Sequence, residues 1–198
     1  RTTDGSGPVT GFTFAEIRKL DAGNWFDERF AGTRIPTLEE VLDAIPVYIL
    51  CNVHLKTAPG LARTVAEIIA EKSRIDQCFL ACAVEQAREA REAVPDIAVC
   101  NMTARTGAPQ EYIDFSFKSG AQYLQFHYKH FESVSDQSPR LKEKGIIANY
   151  FFADTPDDIK RSVQAGVNYV LTNDLDVCLA TLQREYGVEI GRASCRER

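Results

Sequence analysis

From residue 47 onwards, short apolar runs alternate with longer segments in which apolar positions recur every three or four residues. Runs of the first kind predict buried β-strands, and segments of the second kind predict amphipathic helices. Strands are predicted at 47–56, 77–82, 97–100, 122–126, 146–151 and 168–171, and the helices that follow them at 59–73, 84–93, 109–118, 129–144, 156–165 and 174–185. Six consecutive strand-then-helix units favour a parallel sheet with right-handed crossovers.

The N-terminal part of the chain has a weaker period. Thr13 is expected to cap a short helix, with Glu16 at the capping-box position. Residues 21–32 predict a loop anchored by its aromatic side chains, and long ordered loops of this kind are often functional. Trp25 and Phe26 either pack in the core or line the entrance of a site.

Two architectures agree with the strand–helix alternation, an open doubly wound sheet and a (β/α)8 barrel. No GxGxxG or Walker loop follows any predicted strand, which removes the usual nucleotide-binding forms of the open sheet. Six units are two short of a barrel. We therefore expect an α/β fold of the (β/α)8 barrel type in which about the first two strands are lacking.

Composition and charge exclude several function classes. The chain is 44% hydrophobic and 26% charged, as in a soluble globular protein. Its formal charge of -5 comes without a basic block, so we expect no nucleic-acid partner, and no apolar run is long enough for a transmembrane segment. The six cysteines form no CxxC pair and are predicted to be small buried side chains. The compartment stays open between cytoplasmic and periplasmic or secreted.

Candidate chemistry lies at the end of the first predicted strand. Asn52, His54 and Lys56 occupy alternate positions, so a strand would turn all three to one face. Polar groups on a largely apolar strand cost desolvation free energy, which indicates a functional site. The structural interpretation, in which His54 is a satisfied core histidine and Lys56 extends its ammonium group to water, is equally open.

Two stretches resemble the glycerophosphodiester phosphodiesterase family. The first comprises 1–7, 20–26 and 35–42, including Ile35-Pro36-Thr37-Leu38-Glu39-Glu40, and the second is Gly166-Val167-Asn168-Tyr169-Val170-Leu171-Thr172-Asn173-Asp174. The resemblance implies one domain over residues 1–188, with a barrel of the phospholipase C-like phosphodiesterase type. It also implies hydrolysis of a small-molecule glycerophosphodiester to glycerol 3-phosphate and an alcohol, a divalent metal, and a place in lipid metabolism.

The same resemblance implies where the site residues lie. The family's acid/base histidines and most of its metal ligands would precede Arg1, so this sequence by itself is expected to be inactive. Family members usually show Glu-x-Lys on the third barrel strand, where this chain has His54-Leu55-Lys56. Lys56 is therefore expected at the phosphate, and His54 at the metal position in place of a carboxylate.

The expected cofactor is a divalent metal (Mg, Ca, Mn or Zn). His54 favours a transition metal, because Mg²⁺ and Ca²⁺ prefer oxygen ligands. The alternative is a non-catalytic relative that has lost the metal site.

Further polar residues near predicted strand ends are weaker candidates. Gln125 and Asn149 are expected to bind substrate, although lone polar residues at such places are often ordinary loop junctions. His127 alternates with Gln125, His130 is expected to be solvated, and Asp174 either matches the family's last Thr-Asp or caps the final helix. Residues 189–198, which include Cys195, resemble a translated sequencing adaptor and are expected to be a non-native tail.

Overall fold

A computed structural model describes residues 2–127 and 131–188. It divides the chain into two compact units, Arg1–Pro46 and Val47–Arg198. The expectations for His130 and for the tail at 189–198 lie outside the described residues.

The first unit contains two short α-helices, α1 (Phe14–Ile17) and α2 (Leu38–Ala44), and two 3-10 turns, Val9–Gly11 and Glu28–Phe30. The predicted capping box is confirmed, since Thr13 Oγ1 accepts from the Glu16 backbone N–H at 3.3 Å and the Glu16 carboxylate accepts from the Thr13 backbone N–H at 2.8 Å. The Arg18 guanidinium donates to both carboxylate oxygens of Glu40 at 2.7 and 2.9 Å, which joins α1 to α2.

Hydrogen bonds from backbone N–H groups to Asp21 hold the loop at 21–32. The Asp21 carboxylate accepts backbone N–H bonds from Gly23 (2.8 Å), Asn24 (3.0 Å) and Gly32 (2.7 Å). These bonds, that of Gly32 first, hold the pKa of Asp21 below its ordinary value. A Cβ added at Gly23 would lie 1.9 Å from the carbonyl oxygen of Phe30, so only glycine fits there.

The aromatic side chains of this loop do not anchor it in a core. Trp25 and Phe26 contact each other at a centroid distance of 5.7 Å but are 53% and 69% exposed. The expectation that these two rings pack in the core is therefore wrong. The hydrogen bonds of Asp21 hold the two ends of the loop together instead. Such charge-assisted bonds to backbone N–H groups need no buried apolar surface.

The second unit contains all six predicted strand-then-helix pairs. The strands are β1 (Cys51–His54), β2 (Cys78–Cys82), β3 (Ala98–Asn101), β4 (Tyr123–His127), β5 (Ile147–Phe151) and β6 (Tyr169–Leu171). The helices are α3 (Leu61–Glu71), α4 (Val84–Ala93), α5 (Pro109–Lys118), α6 (Phe131–Glu143), α7 (Pro156–Gln164) and α8 (Leu175–Tyr186). Each strand pairs in parallel with its sequence neighbours, in the order β1 to β6. This curled sheet, within the described residues, is a partial (β/α)8 barrel with six of the eight strands.

The two faces of the sheet have different surroundings. One face packs against the helices in a large core that includes Leu124, Phe126 and Tyr150. The other face carries the small cluster Phe79, Ala81 and Cys100, against which Ala98, Met102, Tyr123 and Tyr169 pack. We call this second face the inner face. Phe79 stacks on Tyr123 with ring centroids 4.0 Å apart. Apolar side chains therefore fill the inner face near the amino ends of β2 and β4.

Strand β1 is shorter than the sequence predicts. Its ladder with β2 begins where the Cys51 N–H donates to the Gln77 carbonyl (2.8 Å) and ends where the Leu55 N–H donates to that of Ala81 (3.0 Å). The four residues at 47–50 precede this ladder and are exposed. An apolar run predicts a strand from its own propensity, but a strand extends only as far as a neighbour supplies hydrogen bonds.

The cysteines that the structure describes are free and buried, as predicted. Burial raises the pKa of Cys78, Cys82 and Cys100 to about 12, so these thiols stay protonated and unreactive. None of the described helices is long and apolar enough to cross a membrane.

Candidate functional site

The strand register places four of the polar candidates on the inner face. Residues paired across parallel strands point to the same side of a sheet. Asn52 is paired with Phe79, His54 with Ala81, and Gln125 with Asn149, which is in turn paired with Tyr169. Because Phe79, Ala81 and Tyr169 belong to the inner-face cluster, the four polar residues share that face.

Asn149 and Gln125 are buried within strands and are not loop junctions. Asn149 is 0% exposed and Gln125 is 4% exposed. The Asn149 amide donates to the Tyr169 hydroxyl at 2.9 Å. Its Oδ1 atom and that of Asn52 are buried without a hydrogen-bond partner in the part of the chain that the structure describes. An unpaired buried acceptor costs free energy, so both amides mark polar space that a ligand or water can fill.

His54 lies at the carboxyl end of β1 with an exposed side chain. Its pKa lies below the ordinary value of 6.5, first because the surrounding protein removes water from the ring, and then because the positive charges of Lys56 and Arg105 act on it. Both causes disfavour the protonated form of the imidazole, and the neutral form offers a nitrogen lone pair.

Lys56 follows the strand instead of belonging to it, so the prediction of three alternating residues within one strand is wrong at its third member. The last ladder bond is made by Leu55, and Lys56 is the exposed residue beyond it. Gln86 holds the Lys56 backbone, because the Gln86 amide donates to the Lys56 carbonyl at 3.0 Å and accepts from the Ala83 N–H at 3.2 Å. The start of α4 thus positions the loop that carries Lys56.

Arg105, which the sequence patterns did not single out, lies in the loop after β3. Its Cζ atom is 5.6 Å from the ring centroid of Phe151, the last residue of β5. Phe151 is two residues beyond Asn149 and therefore shares the inner face. The Nη1 atom of Arg105 is buried and lacks a hydrogen-bond partner among the described residues. The only signal available in the sequence was a cation soon after a predicted strand.

Asn101 shapes the loop that carries Arg105. Its buried side chain donates to the Thr103 carbonyl (3.2 Å) and to Ser116 Oγ (2.9 Å), and it accepts from the Thr103 N–H (2.8 Å). The Tyr112 hydroxyl donates to the Asn101 carbonyl at 2.6 Å. These bonds join the end of β3 to α5, and in the loop that follows Ala104 has φ 60°.

The remaining candidates have local roles. Asp174 caps α8, since its carboxylate accepts from the Val177 N–H at 3.1 Å. Asp154 accepts from the backbone and side-chain N–H groups of Asn173 at 2.7 and 2.9 Å, which lowers the pKa of Asp154 and joins the loops after β5 and β6. His127 is half-buried at the end of β4.

The described residues by themselves do not fit a divalent metal. No group of three or more His, Cys, Asp or Glu side chains able to hold a metal ion occurs among them. His54 has amide oxygens on its face but no carboxylate partner in such a group, and the two charges that act on it are both positive. A metal cation prefers anionic or neutral ligands that lie away from other positive charges. The surroundings of His54 therefore favour the binding of an anion over that of a metal cation.

Comparison with known proteins identifies the relationship. The model of the glycerophosphoryl diester phosphodiesterase family matches residues 1–177. The chain belongs to this family. The predicted family and barrel type are thus confirmed, and the family generally uses a divalent metal.

Several proteins of this family resemble the chain. A glycerophosphodiester phosphodiesterase from Caldanaerobacter subterraneus is 27% identical over 190 residues, which cover 93% of this chain and 76% of the relative. One from Bacillus subtilis is 26% identical over 203 residues, covering 89% and 67%. The solved structure of an Oleispira antarctica phosphodiesterase in complex with the product sn-glycerol-3-phosphate has a TM-score of 0.76 at 22% identity and covers 92% of this chain and 75% of that one. This last likeness concerns the fold.

Proposed function

We propose that this chain contributes the phosphate-facing part of a glycerophosphodiester phosphodiesterase, which hydrolyses its substrate to glycerol 3-phosphate and an alcohol. The observation that carries the proposal is the polar inner face, which two buried amides share with the end of β1, in a chain whose residues 1–177 match the family. With such a substrate, the role we propose for the enzyme is in the metabolism of lipid-derived phosphodiesters.

Each site residue has a role that its surroundings support. The Lys56 ammonium holds a non-bridging phosphate oxygen, since the exposed side chain reaches solvent just beyond β1. The unpaired Asn149 Oδ1 accepts from a hydroxyl of the glycerol group, and Gln125 lies beside it in register. Positioned charges of this kind stabilise the transition state of phosphoryl transfer more than the ground state.

Proton transfer and metal binding need groups beyond those described. No described histidine other than His54 and His127 is available for acid/base work, so we propose that residues of the two further barrel strands supply it. His54 serves as a ligand only for a metal whose other ligands also lie outside the described residues. Among Mg, Ca, Mn and Zn, an imidazole there favours Mn or Zn.

A second candidate function is binding of phosphodiesters without hydrolysis. The observation in its favour is that His54 has two cationic neighbours and no described carboxylate cluster. A metal site would then be absent, while Lys56 and the amides would still hold the phosphate ester.

Turnover of glycerophosphocholine by the protein encoded in the complete reading frame separates the two functions. The enzyme releases glycerol 3-phosphate, and EDTA stops the release if a metal is required. Lys56→Ala should lower kcat/KM about 10- to 100-fold, the value of one charge-assisted hydrogen bond. Lys118→Ala, at an exposed position on α5, is the matched control.

Binding of glycerophosphocholine without turnover would support the second function. A complete protein with neither turnover nor binding, or a Lys56→Ala enzyme with unchanged kcat/KM, contradicts the proposal.

A further inference from the structure

The loop after β3 holds a cation in surroundings that do not satisfy it. Arg105 is half-buried, and its Nη1 atom is buried without a hydrogen-bond partner among the described residues. The Phe151 ring contacts the guanidinium at 5.6 Å and can stabilise its charge, but an aromatic face leaves the N–H groups unpaired. A buried guanidinium N–H without an acceptor costs free energy, so the fold keeps Arg105 in a state that an acceptor would improve.

The position of this loop is set by the fold and not by Arg105 itself. The Asn101 side chain makes three hydrogen bonds that fix the loop entry, and Thr103 Oγ1 accepts from the Val84 N–H at 3.0 Å. These bonds define the path of the loop from the end of β3 to α5, and none of them involves the Arg105 side chain. A cation on such a pre-formed loop suits a ligand that arrives from solvent.

The charges around Arg105 indicate the sign of that ligand. Lys56 and Arg105 follow the carboxyl ends of β1 and β3, and because the strands of this sheet are parallel, both residues lie at the same edge of it. Phe151 places the guanidinium on the inner face as well. Two cations beside buried amides form a site for an anion with several acceptor oxygens, and a guanidinium binds such anions through parallel N–H groups.

We propose that Arg105 binds a phosphate oxygen of the ligand at the inner face, as a second cation in addition to Lys56. The proposal deepens the function given above and rests on it for the identity of the ligand. Arg105 and Lys56 would contact different oxygens of one phosphate group, so Arg105 also sets the orientation of the ester relative to the buried amide of Asn149.

The competing explanation is structural. In that case Arg105 pairs with a carboxylate outside the described residues and holds the fold together. The two explanations predict different effects of replacing Arg105 on the melting temperature. Removal of an unpaired buried cation leaves the melting temperature unchanged or raises it, whereas removal of one partner of a buried ion pair lowers it.

Isothermal titration of the 198-residue chain in EDTA at low salt tests the proposal. The probes are sn-glycerol 3-phosphate, inorganic phosphate and glycerol. Arg105→Ala and Arg105→Gln should weaken binding of both phosphates about 10- to 100-fold and leave the melting temperature unchanged or higher, while Arg105→Lys, which keeps the charge but not the planar fork, should lie between. Arg88→Ala, at an exposed position on α4, should bind like the unaltered chain.

Two outcomes overturn the proposal: unchanged phosphate affinity in Arg105→Ala and Arg105→Gln, or no phosphate binding by the unaltered chain at millimolar concentration. If the affinity is unchanged and the melting temperature falls, the structural explanation is the correct one. The glycerophosphocholine assay distinguishes this failure from failure of the proposed function. Turnover with a KM that is insensitive to Arg105→Ala overturns only the role of Arg105. Arg105-dependent phosphate binding without turnover overturns only the hydrolysis.

Discussion

Replacing Asn101 by alanine should destabilise the protein through the loop that carries Arg105. The substitution removes three hydrogen bonds, two to Thr103 at 3.2 and 2.8 Å and one to Ser116 at 2.9 Å. At about 0.5–1.5 kcal/mol each, their loss amounts to roughly 1.5–4.5 kcal/mol. Ser116 keeps its bond to the Tyr112 carbonyl at 2.7 Å, and half-buried Thr103 can regain water, so we expect about 2–3 kcal/mol.

Urea unfolding followed by circular dichroism at 222 nm measures this loss. With a slope of about 2 kcal/mol per molar urea, the midpoint should fall by about 1 M or slightly more. Asn168→Ala is the matched control, since that side chain accepts one described bond, from the Ala148 N–H at 2.8 Å, and should cost about 1 kcal/mol. A midpoint for Asn101→Ala equal to that of Asn168→Ala, at an unchanged slope, would refute the idea that Asn101 fixes the loop.

Two further perturbations test other parts of the molecule. Gly23→Ala should lower the melting temperature markedly, because its Cβ would lie 1.9 Å from the Phe30 carbonyl oxygen. Gly11→Ala is the control and should change the melting temperature little, since the nearest atom to its Cβ would be at an ordinary 3.7 Å. Equal melting temperatures of the two variants would contradict the tight approach at Gly23. The pKa of His54, followed by NMR and assigned with His54→Gln, should lie below 6.5 and rise in Arg105→Ala, which removes one of the repelling charges. With a lowered pKa in the folded state, the unfolded chain binds the His54 proton more readily than the folded chain does. His54 therefore lowers the free energy of unfolding as the pH falls below about 6.5 and leaves it unchanged at higher pH. A His54 pKa at or above 6.5 would exclude the cationic surroundings described for this residue.

The sequence pattern was sufficient for the repeating part of the fold. Each strand from β2 to β6 is an apolar run followed by a helix with one apolar stripe, and both signals are local. Residues such as Leu124 and Phe126, or Ile159 on α7, lie in the core because alternation and helical spacing leave them no other face. The order of the strands follows as well, because short right-handed connections place sequence neighbours side by side.

Features that depend on contacts between distant residues were harder to predict. The ends of β1 depend on where Gln77 and Ala81 lie opposite it, and an apolar run cannot encode that limit. Trp25 and Phe26 resemble core residues in composition, yet the loop around them closes through the Asp21 carboxylate.

The candidate site was predicted in part. His54, Gln125 and Asn149 lie on one face, as alternation within their strands and the parallel register require. Their roles in the site stay predictions, as does the metal ligand role of His54.

By itself, the sequence determined the strand–helix repeat, the family and the alternation that puts Asn52 and His54 on one face of their strand, because periodicity and motif spacing are properties of neighbouring residues. The tertiary structure alone decided that Arg105 borders that face. Arg105 is a single charged residue in a loop, and its place at the inner face results from hydrogen bonds of Asn101 to residues two and fifteen positions away and from the Phe151 ring on another strand. Such a position depends on how separate elements pack, so no local pattern in the chain could show it.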